Sequence, residues 1–235
     1  MTINLRILVP DDTINYITNP QLRYVTTGWT ANGATITRTL DYARFGIASL
    51  KVVTNGSVLN EGTFFRVSSL LGVSDIVTCS VYVRGAGKVR IRMIDNTTGR
   101  QFLGEVFQLD DLRWKRISVS GNISGTPAGN DVRLYVETAD LTAKAITFYV
   151  DGAQMERKPY PTTYCDGDIP GCSWAGPKSG SVSTRTEYTR LGGRWVDLAG
   201  PCRGNEDLYV TVLGGMGSAP IISQIQPFAL APGSY

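Results

Sequence analysis

The chain has 235 residues, of which 42% are hydrophobic and 18% charged, with 26 glycines and a formal charge of +3. That length suits one large all-β domain, or a medium domain and a second piece. The charge is too small for a nucleic-acid partner, which needs a clustered basic surface, and no apolar run is long enough to span a bilayer. Histidine is absent, which removes the commonest general base, the commonest transition-metal ligand and every Ser-His or Cys-His arrangement. The composition therefore points away from an enzyme.

Ile3, Leu5, Ile7 and Val9 alternate with the residues between them, so the start of the chain reads as a strand rather than a secretion signal, and Pro10-Asp11-Asp12 ends it. A loop runs through Asn19-Pro20 to Gly28-Trp29. Leu50 and Val52 mark a strand over 49–53, and Val77, Cys79, Val81 and Val83 mark another. Gly85-Ala86-Gly87 predicts a hairpin turn into Val89, Ile91 and Met93. A second turn over 95–99 leads to strands over 102–109 and 114–120, the latter with Lys115, Ile117 and Val119 on one face. Val132, Leu134 and Val136, then Ile146, Phe148 and Val150, close the series. No helical stripe of three turns occurs before Asp151. Short strands at regular spacing predict an all-β sandwich, a jelly roll.

The composition shifts near residue 158, and four regions are expected: an N-terminal strand or arm (1–15), the jelly roll (16–158), a Pro/Gly/Ser-rich connector (159–185) and a β-rich docking segment (186–235). Tyr160, Tyr164 and Trp174 are too apolar for a solvated tether, so part of the connector is expected to be ordered. Strands are expected over 186–198 and 208–213, but about fifty residues make a poor independent core, so this last segment is expected to need a partner.

The four cysteines are Cys79, Cys165, Cys172 and Cys202. Cys79 falls in an apolar strand pattern and is expected in the core. Cys165 and Cys172 bracket DGDIPG and either form a local disulfide or remain two reduced thiols. No Cys-x-x-Cys pair is present, so zinc is not expected. Asp110-Asp111 and Asp166/Asp168 are the local carboxylate clusters. Adjacent strand residues point to opposite faces, which does not suit glycoside hydrolysis, and turn residues surround both clusters. Opposite the core stripes lie Tyr82, Arg84, Trp114, Arg116, Tyr135 and Tyr149, with Arg90, Arg92 and Arg133 beside them. Aromatic rings beside guanidinium groups suit a sugar, because a ring packs on the apolar face of a pyranose while guanidinium N–H groups bond its hydroxyls. Outward aromatics also pack under loops or against neighbouring chains, and the pattern does not say which strands share a sheet.

The order Asn19-Pro20, Gly28-Trp29, Ser49-Leu50-Lys51-Val52, the Trp114 strand and Phe148-Tyr149-Val150-Asp151-Gly152-Ala153-Gln154 resembles carbohydrate-binding jelly rolls of the kind fused to phage tail proteins. Tyr160-Pro161-Thr162-Thr163-Tyr164, Asp166-Gly167-Asp168, Pro170-Gly171-Cys172 and Trp174 resemble the connector that follows such jelly rolls in siphophage minor tail proteins. Gly215-Met216-Gly217, Pro220-Ile221 and Gln226-Pro227-Phe228 are similar to the start of the distal-tail family, whose ring-forming core the chain largely lacks. These resemblances imply a virion tail protein made in the host cytoplasm, working as a homo-oligomer among other tail subunits and contacting a host cell-surface polysaccharide. A capsid decoration protein of the same fold, or the binding module of a secreted glycan-active protein, are the alternatives. The jelly-roll resemblance also implies a structural calcium held by Asp151 near Asn19. Here Asn19-Pro20 is followed by Gln21-Leu22-Arg23, without the acidic residue usual in that family, and Asp151 before Gly152 also reads as a turn residue.

Overall fold

The computed structural model describes residues 2–68, 76–123, 131–186, 192–201 and 224–227. Every regular element among them is a β-strand. The chain opens with β1 (Thr2–Pro10) and β2 (Thr13–Asn15). The central strands are β3 (Trp29–Asn32), β4 (Ala34–Thr39), β5 (Ser49–Thr54), β6 (Gly62–Ser68), β7 (Ile76–Gly85) and β8 (Lys88–Asp95). They continue as β9 (Arg100–Leu103), β10 (Phe107–Gln108), β11 (Lys115–Asn122), β12 (Asp131–Thr138) and β13 (Thr147–Glu156). β14 (Cys172–Trp174), β15 (Ser183–Arg185), β16 (Gly193–Pro201) and β17 (Gln224–Pro227) follow.

Two antiparallel sheets make the body, a five-stranded one in the order β11-β7-β13-β5-β4 and a six-stranded one in the order β10-β8-β12-β6-β3 with β9 also on β8. The successive pairs β5/β6, β7/β8, β10/β11 and β12/β13 each put one strand in either sheet, while β13 lies between β5 and β7, and β12 between β6 and β8. That interleaving of two Greek keys is a jelly roll. The period-two pattern fills the space between the sheets: Val77, Cys79, Val81 and Val83 from one side meet Val89, Ile91 and Met93 from the other, with Leu134 and Phe148 fully buried among them.

Several expectations change. Gly85-Ala86-Gly87 is not a hairpin turn, because β7 and β8 belong to different sheets. It is a corner at which Gly85 takes φ 135°, and a Cβ there would sit 2.7 Å from the Thr147 carbonyl oxygen. Alternation is the same on both sides of a hairpin and of a sheet-crossing corner, so the pattern does not separate them. The strand over 102–109 is two, β9 and β10. Gly104 lies between them, and its N–H donates to the Ile91 carbonyl at 2.9 Å. β6 escapes the pattern because Phe64 and Phe65 are neighbours and point to opposite faces.

β2 and the connector are folded onto the body. β2, β15 and β14 form a small sheet, and the connector is described throughout 159–185. β1 pairs along its length with β16, from Thr2↔Pro201 to Pro10↔Gly193, and β17 pairs on its other edge. The two ends of the chain therefore share one three-stranded sheet. The strand expected over 208–213 and Cys202 lie outside the described residues.

Candidate functional site

On the outer face of the five-stranded sheet, cross-strand pairing lines up two rows. One runs Thr37, Lys51, Tyr149, Arg84, and the next Asp151, Tyr82, Arg116. Further along β13 a bulge between Asp151 and Gln154 shifts the register, and Gly152 in it takes φ 56°. The second row is roofed. The β4–β5 loop lays Phe45 edge-on over Tyr82 at 5.2 Å between ring centroids, and Tyr164 of the connector stacks on Phe45 at 4.2 Å. Arg116 is pinned beneath, donating from Nη1 to the Thr162 carbonyl at 2.6 Å and from Nη2 to Ser80 Oγ at 2.8 Å, and burial lowers its guanidinium below its ordinary value. Tyr82 and Arg116 thus serve packing between sheet and connector.

Beyond them the roof is a closed polar network. Glu156 accepts from Thr13 Oγ1 at 2.7 Å, Thr162 Oγ1 at 2.8 Å and Gln154 Nε2 at 2.7 Å. Gln154 Oε1 in turn accepts the Cys165 N–H at 2.8 Å, and Gln21 donates to Asp166. Asp166 Oδ1 caps its own turn by accepting the Asp168 N–H, and Asp110 does the same for the Leu112 N–H, so both carboxylate clusters form Asx turns. Cys165 and Cys172 are free thiols joined by a hydrogen bond, not a disulfide. That contact and burial raise Cys165, whereas hydrogen bonding from Cys165 outweighs burial and lowers Cys172.

The first row stays open. Tyr42, 37% exposed at the edge of the β4–β5 loop, meets Tyr149 edge-on at 4.7 Å, and the Arg84 guanidinium lies 3.8 Å from the Tyr42 ring centroid. Arg84 Nε is buried without a hydrogen-bond partner, and such a group calls for an explanation, because an unfilled donor costs desolvation energy. Trp114, half-buried, precedes β11. The loop residues Tyr42 and Phe45 were missed by the strand pattern; their signal is the aromatic pair in DYARF immediately after a strand.

Tyr135 belongs elsewhere. It sits with Arg90, Arg92 and Arg133 on the outer face of the six-stranded sheet, on the opposite side of the sandwich from Tyr149 and Arg84. The expected aromatic and arginine set is therefore split over two surfaces.

The residues do not fit a calcium ion. Asp151 is fully buried, and its carboxylate accepts the N–H groups of Arg44 at 2.6 Å, Phe45 at 2.9 Å and Gly152 at 2.7 Å. Donor hydrogens of that kind surround an anion and occupy the oxygens a cation would use. Burial pushes this carboxyl up to about 7 against those three donors. Asn19 turns its amide N–H toward the Val25 and Thr27 carbonyls, at 2.8 and 3.2 Å. Among the described residues no group of three or more His, Cys, Asp or Glu side chains could hold a metal.

No family model matches the chain, and no curated protein sequence matches it. Solved structures of similar shape include carbohydrate-binding modules and a phage protein. The first xylan-binding module (CBM22-1) of Paenibacillus barcinonensis Xyn10C is 20% identical, covers 63% of this chain and 94% of its own, and gives a TM-score of 0.44. TmCBM61, solved with β-1,4-galactotriose, is 13% identical over 61% of this chain and 99% of its own, at 0.43. Tailspike protein 4 of bacteriophage CBA120 is 9% identical over 60% of this chain and 21% of its own, also at 0.43. The jelly roll itself is established by the strand order. At these values the likenesses assign no ligand.

Proposed function

We propose that this chain is a non-catalytic phage tail-tip protein whose jelly roll contacts a host-surface glycan through the Tyr42–Tyr149–Arg84 edge of the five-stranded sheet. The observation that carries the glycan contact is Arg84 Nε, a buried donor without a partner beside two tyrosines, one of them exposed. Tyr42, on the exposed β4–β5 loop, covers that donor; with its ring moved aside a sugar hydroxyl fills Arg84 Nε while the pyranose packs on tyrosine. Support for the tail comes from the sequence resemblance of the connector and of the terminal segment. In this reading the folded connector and the shared terminal sheet are the parts that meet neighbouring subunits, including further copies of the chain.

The test is calorimetric titration of the full chain with host-wall polysaccharide, xylohexaose and β-1,4-galactotriose. Arg84→Ala and Tyr149→Ala should each weaken the sugar that binds by about tenfold or more, as loss of one hydrogen bond or one stacked ring does. Unchanged affinity in both variants would remove this face from the reading. Electron cryo-microscopy of virions tests the location: density at the tail tip is expected, and density on the capsid shell would replace the tail with the decoration alternative.

A further inference from the structure

The outer face of the six-stranded sheet carries a second, differently built surface. Pairing sets Arg92, Tyr135 and Phe64 in one row, Arg90 beside Glu137 in the next, and Arg66 beside Arg133 on the other side. Phe64 and Tyr135 stack at 4.8 Å and 27°. The Arg92 guanidinium lies over the Tyr135 ring at 4.5 Å and that of Arg133 over the Phe64 ring at 5.5 Å. The ring faces are thus covered by guanidinium groups, and what this surface presents is charge, not an aromatic platform.

The charge is unbalanced in a regular way. Fully buried Glu137 is shared by Arg90 at 2.8 Å and Arg92 at 2.6 Å, and Asp131 by Arg66 at 3.0 Å and Arg133 at 2.9 Å. Each carboxylate serves two guanidiniums, so each cluster keeps one surplus positive charge. The surpluses lie on either side of the Phe64–Tyr135 stack, and exposed Lys88 adds another cation at the end of β8. Arg66, with 57% of its side chain exposed, holds unused N–H groups in solvent.

We propose that this face binds a carboxylated polysaccharide, a chain bearing spaced acid groups with hydroxyls between them. Guanidinium forks match carboxylates with paired hydrogen bonds; Arg92 and Arg133 are held over rings, and Arg66 and Arg90 are each held at Nε by a shared acid, so part of their freedom is already lost before binding. Exposed Gln101, bonded to Arg92 through its Oε1, leaves its amide N–H groups beside the guanidiniums for sugar hydroxyls. The two surpluses stand apart on either side of the ring stack, which matches spaced acid groups and not the dense charge of duplex DNA, about one every 1.7 Å. The proposal is independent of the Tyr42–Tyr149–Arg84 edge, which lies on the opposite side of the sandwich.

The experiment is affinity electrophoresis of the full chain through gels containing polygalacturonate, the same polymer with its carboxylates methyl-esterified, or duplex DNA. Polygalacturonate should retard the protein at low salt and lose its effect as salt rises, while the esterified polymer should not retard it. The double variant Arg66→Gln with Arg90→Gln removes both surplus charges and leaves the Arg133–Asp131 and Arg92–Glu137 pairs in place. It should melt within a few degrees of the wild type and bind polygalacturonate at least tenfold more weakly. Arg84→Ala should bind it as the wild type does, which separates this outcome from failure of the first face. Equal retardation by the esterified polymer, stronger retardation by DNA, or undiminished binding by the folded double variant would each overturn the proposal.

Discussion

Asp151→Asn isolates the group that anchors the β4–β5 loop. The Asp151 carboxylate is fully buried and fixes the loop through the Arg44 and Phe45 N–H groups, and that loop carries Tyr42 to Tyr149. Burial raises its carboxyl from 3.8 to about 7. The folded state therefore keeps a proton that the unfolded chain releases between those values, so the stability this group contributes is full below pH 3.8 and is lost as pH rises through about 7. The slope is about 1.4 kcal/mol per pH unit, and over the whole interval the effect reaches about 4 kcal/mol as an upper bound. Asparagine keeps the shape and does not titrate. Urea unfolding of both proteins at pH 5, 6, 7 and 8 should show the wild type losing its advantage over Asp151→Asn as pH rises, with the difference flattening above pH 7. A difference constant from pH 5 to 8 would refute the reasoning and mean that the three N–H donors keep the carboxylate ionised throughout.

Gly152→Ala should destabilise by about 2 kcal/mol, because alanine resists the positive φ and its Cβ would fall 2.7 Å from the Phe45 ring; urea midpoints check it. Phe148→Ala, which empties a fully buried site between the sheets, should cost about 3–5 kcal/mol in the same assay. Burial works to raise Glu61, yet the N–H groups of Val58, Gly56 and Ser57 outweigh it and hold the carboxyl below its ordinary 4.5. Glu61→Ala should therefore lower the melting temperature by about 5 °C at pH 7. The gap should close as pH falls below 4.5, since a group with a depressed value stabilises above its unfolded value and loses that effect as pH falls through the folded one.

Within each strand the sequence is a direct record of the fold. Val77, Cys79, Val81 and Val83, or Val132, Leu134 and Val136, must turn one way because successive strand residues alternate, and only one face of such a strand can be buried cheaply. Those stripes determined the all-β class, the core membership of Cys79 and the outward direction of Tyr82, Arg84, Tyr135 and Tyr149. Which strands stand side by side was decided only by the tertiary structure. β13 meets β5 across roughly a hundred residues and Thr13 reaches Glu156 across 143, so the pairing is a contest between sheets that no local window contains. That contest sent Tyr135 to one surface and Tyr149 to the other, and turned Gly85–Gly87 from a hairpin into a corner. It also partly covered Arg116 and Tyr82 with Thr162 and Phe45, because an outward-facing strand residue is exposed only until another segment of the chain covers it.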